Sequence, residues 1–130
     1  MAVLDWTNDS APAAQLEGGN RWIWRFDGTC GTDDVLKVTL PGRTSGGLLG
    51  VFVRAASPAT EVSPELHSAA TPTSATLVKA LSWGSSSAGL VYEAGDGPVQ
   101  VLLTADGEVW LRPKPDASCT LTAQIVFEAV

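Results

Sequence analysis

The sequence has one histidine, His67, and two cysteines, Cys30 and Cys119, in 130 residues. That scarcity bounds the chemistry. With one imidazole and no Gly-x-Ser-x-Gly elbow, the nucleophile, base and orienting group of a hydrolase have no evident source. His67 sits in Val62-Ser63-Pro64-Glu65-Leu66-His67-Ser68, where a solvent-exposed loop histidine is expected. The cysteines lack the short spacings of metal or redox motifs, and a disulfide and two buried thiols are both compatible with their positions. Charge is also scarce, at 17% of residues, and fourteen acids against eight Lys plus Arg give a net charge of −6. Such a surface repels phosphate backbones and anionic lipids, so neither nucleic acid nor membrane is an expected partner. No apolar run approaches the ~20 residues of a membrane helix, and no long run holds the helical period.

The acids invite two further chemistries. Glycoside hydrolysis needs two carboxyl groups across a cleft, one of them in an apolar pocket that raises its pKa. Asp96, Asp106 and Asp116 instead stand where turns favour Asp, and Asp33-Asp34 precedes a strand. Asp27-Gly28-Thr29 and Thr32-Asp33-Asp34 bracket one Gly-containing loop, but their spacing is not that of an EF-hand. Gly46-Gly47 and Gly84-Ser85-Ser86-Ser87 lack the Gly-Lys-Ser/Thr ending of a phosphate loop. No catalytic residue, metal or cofactor is expected.

What the chain has is period-2 alternation in short runs separated by Gly, Pro, Asp and Ser. Strands are expected at residues 20–27, 34–40, 48–56, 75–83, 88–94, 98–104, 108–112 and 119–128. They predict an all-β fold, an antiparallel β-sandwich of jelly-roll type with about eight strands. Residues 1–19 read as an N-terminal arm and residues 20–130 as one sandwich domain. Within that domain, residues 57–74, rich in Pro, Ser and Thr, read as a long surface loop.

Side-chain alternation assigns faces. Trp22, Trp24 and Phe26 share one face against Arg21, Arg25 and Asp27; Leu36, Val38 and Leu40 align in the next strand. Cys119, Leu121, Ala123, Ile125 and Phe127 alternate with Thr120, Thr122, Gln124 and Glu128. For residues 88–112 turn chemistry adds a register. A three-residue loop at Ala105-Asp106-Gly107, with Gly107 left-handed, pairs Leu103 with Val109, Val101 with Leu111 and Leu102 with Trp110. A four-residue loop at Gly95-Asp96-Gly97-Pro98 pairs Ala94 with Val99, Tyr92 with Val101 and Leu90 with Leu103. The outer face then carries Glu93, Gln100, Thr104, Glu108 and Arg112, interrupted by Val91, Leu102 and Trp110 in one row.

Five tryptophans are many for this length, and their rings suit both protein contacts and sugar stacking. Trp22 and Trp24 are assigned to the core. Trp6 in the arm, the row Val91, Leu102 and Trp110, and Arg112 beside it are the interface candidates; the alternative is a row covered by the chain's own loop.

With its short strands, turn-rich loops, missing catalytic set and amino terminus without a signal peptide, the chain resembles the small β-sandwich decoration, or cement, proteins of tailed-bacteriophage capsids. That resemblance spans roughly residues 20–128. It implies a non-enzymatic virion protein, made in the host cytoplasm, that forms a homotrimer and clamps neighbouring major capsid proteins, with the arm lying on the shell. A tail or fibre accessory role fits the same features. The alternative is a carbohydrate-binding module with Trp110, flanked by Gln100 and Arg112, as its platform.

Overall fold

The computed structural model describes residues 3–5, 14–15, 21–40, 42–81, 84–85, 89–93 and 99–128. Their strands are β1 (Val3–Asp5), β2 (Ala14–Gln15), β3 (Arg21–Cys30), β4 (Val35–Thr39), β5 (Ser45–Ala55), β6 (Glu61–Val62) and β7 (Glu65–His67), then β8 (Leu77–Ala80), β9 (Gly84–Ser85), β10 (Gly89–Glu93), β11 (Val99–Leu102), β12 (Glu108–Arg112) and β13 (Cys119–Glu128). A 3-10 turn, Ser74–Thr76, precedes β8.

Two sheets stack face to face. The first runs β1-β4-β12-β7-β8; the second runs β10-β5-β13-β3-β2, with β11 also on β5; β6 and β9 form a separate pair. β10 and β11 occupy successive stretches of one edge of β5, Glu93 opposite Gly50 and Val99 opposite Leu48, so they fill one strand position. Counted that way, the main strands are antiparallel partners from the outside in: β3 with β13, β4 with β12, β5 with β10–β11, and β7 with β8. A long hairpin of four pairs, rolled so that successive pairs alternate between sheets, is a jelly roll. The expected fold class is therefore the observed one, with a parallel β1–β4 pairing added at an edge.

The strand count of about eight holds through two compensating differences. Residues 88–94 and 98–104 were expected to be neighbouring strands but share one position. The expected surface loop 57–74 contains β6 and β7, and β7 is an interior strand between β12 and β8. Val62 and Leu66 are fully buried there, and Pro64 is buried between them. Every second residue faces the core, but Ser63, Pro64 and the small residues around them mask the period.

Where side chains are described, the predicted core faces agree with the structure; those of residues 88–94 and Val99 lie outside what is described. Trp24, Phe26, Leu36, Val38, Leu40, Val101, Val109, Leu111, Leu121, Ile125 and Phe127 form the core, with Trp22 and Leu103 packed against it. The predicted pairing of 98–104 with 108–112 does not. Gly107 is left-handed, φ 79, and Thr104 N–H donates to Glu108 O at 3.0 Å, so the three-residue loop closes as expected. Beyond it the arms separate: Val99–Leu102 pair with β5, and Glu108–Leu111 pair with β4. The neighbouring corner between β4 and β5 captures both, through Leu40 N–H to Gly107 O and Leu103 N–H to Thr44 O, each 2.9 Å. Val101 and Leu111 thus enter the core from opposite sheets instead of lying side by side. The predicted pairing of Tyr92 with Val101 fails likewise, since Tyr92 pairs with Val51 and Val101 with Gly46.

Cys30 and Cys119 are free and buried. Of the expected arm, β1 and β2 are paired into the sheets; the rest, including Trp6, lies outside the described residues, as do the turn at 95–98 and Trp83.

Candidate functional site

The outer face of the first sheet carries its polar side chains. Because Leu36, Val109, Leu111 and Leu66 point into the core, alternation sends Lys37, Trp110 and His67 outward, and the register places them side by side: Trp110 opposite Lys37 on β4 and His67 on β7. Glu65 lies on the same face of β7, opposite Arg112. The chain after His67 returns through the 3-10 turn and sets Thr76 over the histidine.

His67 is 2% exposed, not the solvent-exposed loop residue expected. One ring nitrogen, Nδ1, lies 2.9 Å from Thr76 Oγ1, and the other, Nε2, lies 3.0 Å from Glu65 Oε1. Glu65 Oε2 is 3.5 Å from Lys114 Nζ and Oε1 is 3.7 Å from Arg112 Nη1, while Arg112 Nη2 reaches Asp33 at 3.3 Å. Lys114 comes within reach because it turns the chain with φ 51 between Pro113 and Pro115. Beside these groups is an open cleft of about 270 Å³ lined by Glu65, His67, Thr73, Ser74, Leu77 and Arg112.

A hydroxyl, an imidazole and a carboxylate in sequence have the connectivity of a catalytic triad. Here the hydroxyl has a structural task. Thr76 Oγ1 accepts from Thr73 N–H at 2.9 Å and lies 3.1 Å from Thr73 O, so it caps its own turn while His67 ties that turn to the sheet. Ser68 N–H to Thr76 O, 2.8 Å, closes the same loop. The constellation was not found by sequence reasoning. Its signal was Glu65-Leu66-His67, two polar residues flanking a leucine at strand period.

Burial works to raise the Glu65 carboxyl, but the hydrogen bond from His67 and the cations of Lys114 and Arg112 outweigh it and hold the group below its ordinary 4.5. A depressed carboxyl stabilises the fold above the unfolded pKa, and that stability is lost as pH falls through the folded one. Urea midpoints measured from pH 6 down to pH 3 are thus expected to fall less steeply for Glu65→Gln than for the parent. Parallel curves would remove the ion cluster as a source of acid sensitivity.

Asp116 and Asp34 serve structure, as their positions suggest. Asp116 accepts from Thr60 N–H, Glu61 N–H and the Thr60 hydroxyl, bonds that hold its carboxyl low, the hydroxyl's most strongly. Asp34 accepts from Gly31 N–H at 2.7 Å. Among the described residues no group of three or more His, Cys, Asp or Glu could hold a metal ion.

Of the interface candidates, Leu102 and Trp110 do not share a surface. Trp110 lies on the outward side of β12 but is only 8% exposed, too little for a sugar platform. Leu102 is 71% exposed, but on the other sheet. Val91 falls at the register shift between Leu90 and Tyr92 of β10, and its side chain lies outside what is described. Arg112 is engaged by Asp33 and Glu65. What the structure offers instead is a pattern at the edges. Among the described residues, the exposed large apolar ones are Val3, Leu77, Val78 and Leu102, and all lie on edge strands, β1, β8 and β11. Because each outer-to-inner pair of the rolled hairpin stacks over the next, β8 and β10–β11 are, among the described residues, the outermost strands on one side of the sandwich.

Comparisons with protein-family models, curated proteins and solved structures found no match to this chain.

Proposed function

We propose that this is a non-enzymatic structural protein that works by contact, self-associating through its apolar edges and, as its resemblance to cement proteins implies, clamping neighbouring major capsid proteins of a tailed-phage shell. The observation that carries the proposal is the exposure of Leu77 and Val78, 42% and 40%, on the edge strand β8. Proteins that stay monomeric blunt such edges with charge, proline or a covering loop, because the unpaired backbone invites another chain. Adjacent exposed leucine and valine do the opposite. The jelly roll is compatible with the proposal, being the architecture of viral capsid and lectin domains among others, but fold alone does not choose between them.

Sedimentation velocity tests it. The parent is expected to sediment as a trimer at micromolar concentration and to co-sediment with capsid shells. The double variant Leu77→Asp, Val78→Asp is expected to remain folded by circular dichroism and to sediment as a monomer. A monomeric parent, or a double variant that still assembles, would count against the edge as the contact.

A further inference from the structure

We infer that Cys30 and Cys119 form a redox clasp, a dithiol that closes to a cross-strand disulfide joining the first and last main strands of the jelly roll. The placement carries this. Cys30 ends β3, Cys119 begins β13, and the two are direct partners in the antiparallel ladder. Directly opposed residues have Cα atoms about 4.5–5.5 Å apart, within the roughly 4.4–6.8 Å that a disulfide spans. Opposed residues also share a face, and both side chains point into the core, 0% and 6% exposed. Closure therefore needs side-chain rotation, chiefly of Cys30, whose thiol now donates to Gly31 O at 3.3 Å, and no change of register.

The chemistry is a two-step exchange with a low-molecular-weight disulfide such as oxidised glutathione. One protein thiolate attacks it, forming a mixed disulfide and releasing one glutathione thiolate. The second protein thiolate then displaces the other glutathione. Two protein S–H bonds are lost, one S–S bond forms, and two glutathione thiols carry off the two electrons and two protons. Burial, with the nearby Asp34 carboxylate, pushes the Cys30 thiol up to about 12, and burial raises Cys119 as well. Thiolate is therefore scarce in the folded dithiol, and exchange is slow near neutral pH. The clasp is a thermodynamic one, set during folding or long exposure to an oxidant. It is independent of the capsid proposal.

The test is the equilibrium between dithiol and disulfide in glutathione redox buffers, read by intact mass after acid quench and alkylation. The reaction is started from reduced unfolded chain and brought to equilibrium once under refolding conditions and once in guanidinium chloride. In the folded state the product is expected to be a monomer lighter by two hydrogens, without a glutathione adduct. The effective concentration of the thiol pair is expected to be on the order of 100-fold higher folded than unfolded, because a disulfide that fits the native state stabilises it by the same factor. Equal or lower effective concentration in the folded state, or a stable mixed disulfide with glutathione, would overturn the inference.

Discussion

Gly107→Ala is expected to lower the stability of the fold by about 3–5 kcal/mol, measured as the shift in urea unfolding. The φ of 79 at Gly107 places any side chain in the left-handed region, which costs an L-residue about 1–2 kcal/mol. Sterics add the rest. A Cβ there would press into the Leu40 carbonyl oxygen and sit 3.0 Å from the Arg43 carbonyl oxygen, both backbone atoms that cannot swing aside. Those atoms belong to the corner that carries the chain from β4 to β5, and Gly107 itself accepts from Leu40 N–H. Opening one corner loosens the other. Gly42→Ala is the control: its φ of 75 is similar, but nothing lies within 4 Å of the added carbon, so only the backbone cost of about 1–2 kcal/mol is expected. If the two variants lose the same stability, the packed double corner is not what Gly107 protects.

Phe127→Ala is expected to cost about 3–5 kcal/mol. Phe127 is fully buried on β13, the strand flanked by β3 and β5 in the second sheet. Its ring lies where a side chain on Gly46 would go, Cδ1 being 2.9 Å from the position of an added Cβ. Gly46→Ala alone therefore forces the ring to move. In the Phe127→Ala background the same change fills part of the vacated space, so the double variant should lose less stability than the two single losses summed, by about 1–2 kcal/mol. Additive losses in urea unfolding would show that the ring and the glycine do not share that space.

The sequence was informative about faces and less so about neighbours. Alternation assigned Trp24, Val38, Val101, Leu111 and Ile125 to the core correctly, because strand parity alone decides which side of the pleat a residue occupies. Parity does not say which strand lies beside it. Val101 and Leu111 have the same facing whether they pair in one sheet or meet across two, so the turn at 105–107 was read correctly while the pairing beyond it was not. The same ambiguity produced the row of Val91, Leu102 and Trp110: each of Leu102 and Trp110 points outward, but from opposite sheets. The polar cluster was hidden for another reason. Pro64, Ser63 and the small residues after His67 have the composition of a loop, and only tertiary packing makes Val62 and Leu66 interior. The exposed edge needed the full strand order, since Leu77 and Val78 look like any buried strand until β8 is seen to lie last in its sheet among the described residues.

The rolled hairpin makes β13 the partner of β3, with Glu128 opposite Arg21 and Cys119 opposite Cys30. Contacts between the most distant parts of the sequence are thereby among the most extensive in the fold. Such topology gives a high contact order and slow folding, in the range of milliseconds to seconds for proteins dominated by non-local pairings. During synthesis the consequence is stronger. While β13 is still in the ribosome, β3 and β5 face an empty place where the centre of their sheet belongs, and their apolar faces have no closed core to enter. The domain must therefore wait for nearly its last residues before it can fold, and until then those two strands are the segments most in need of protection from aggregation.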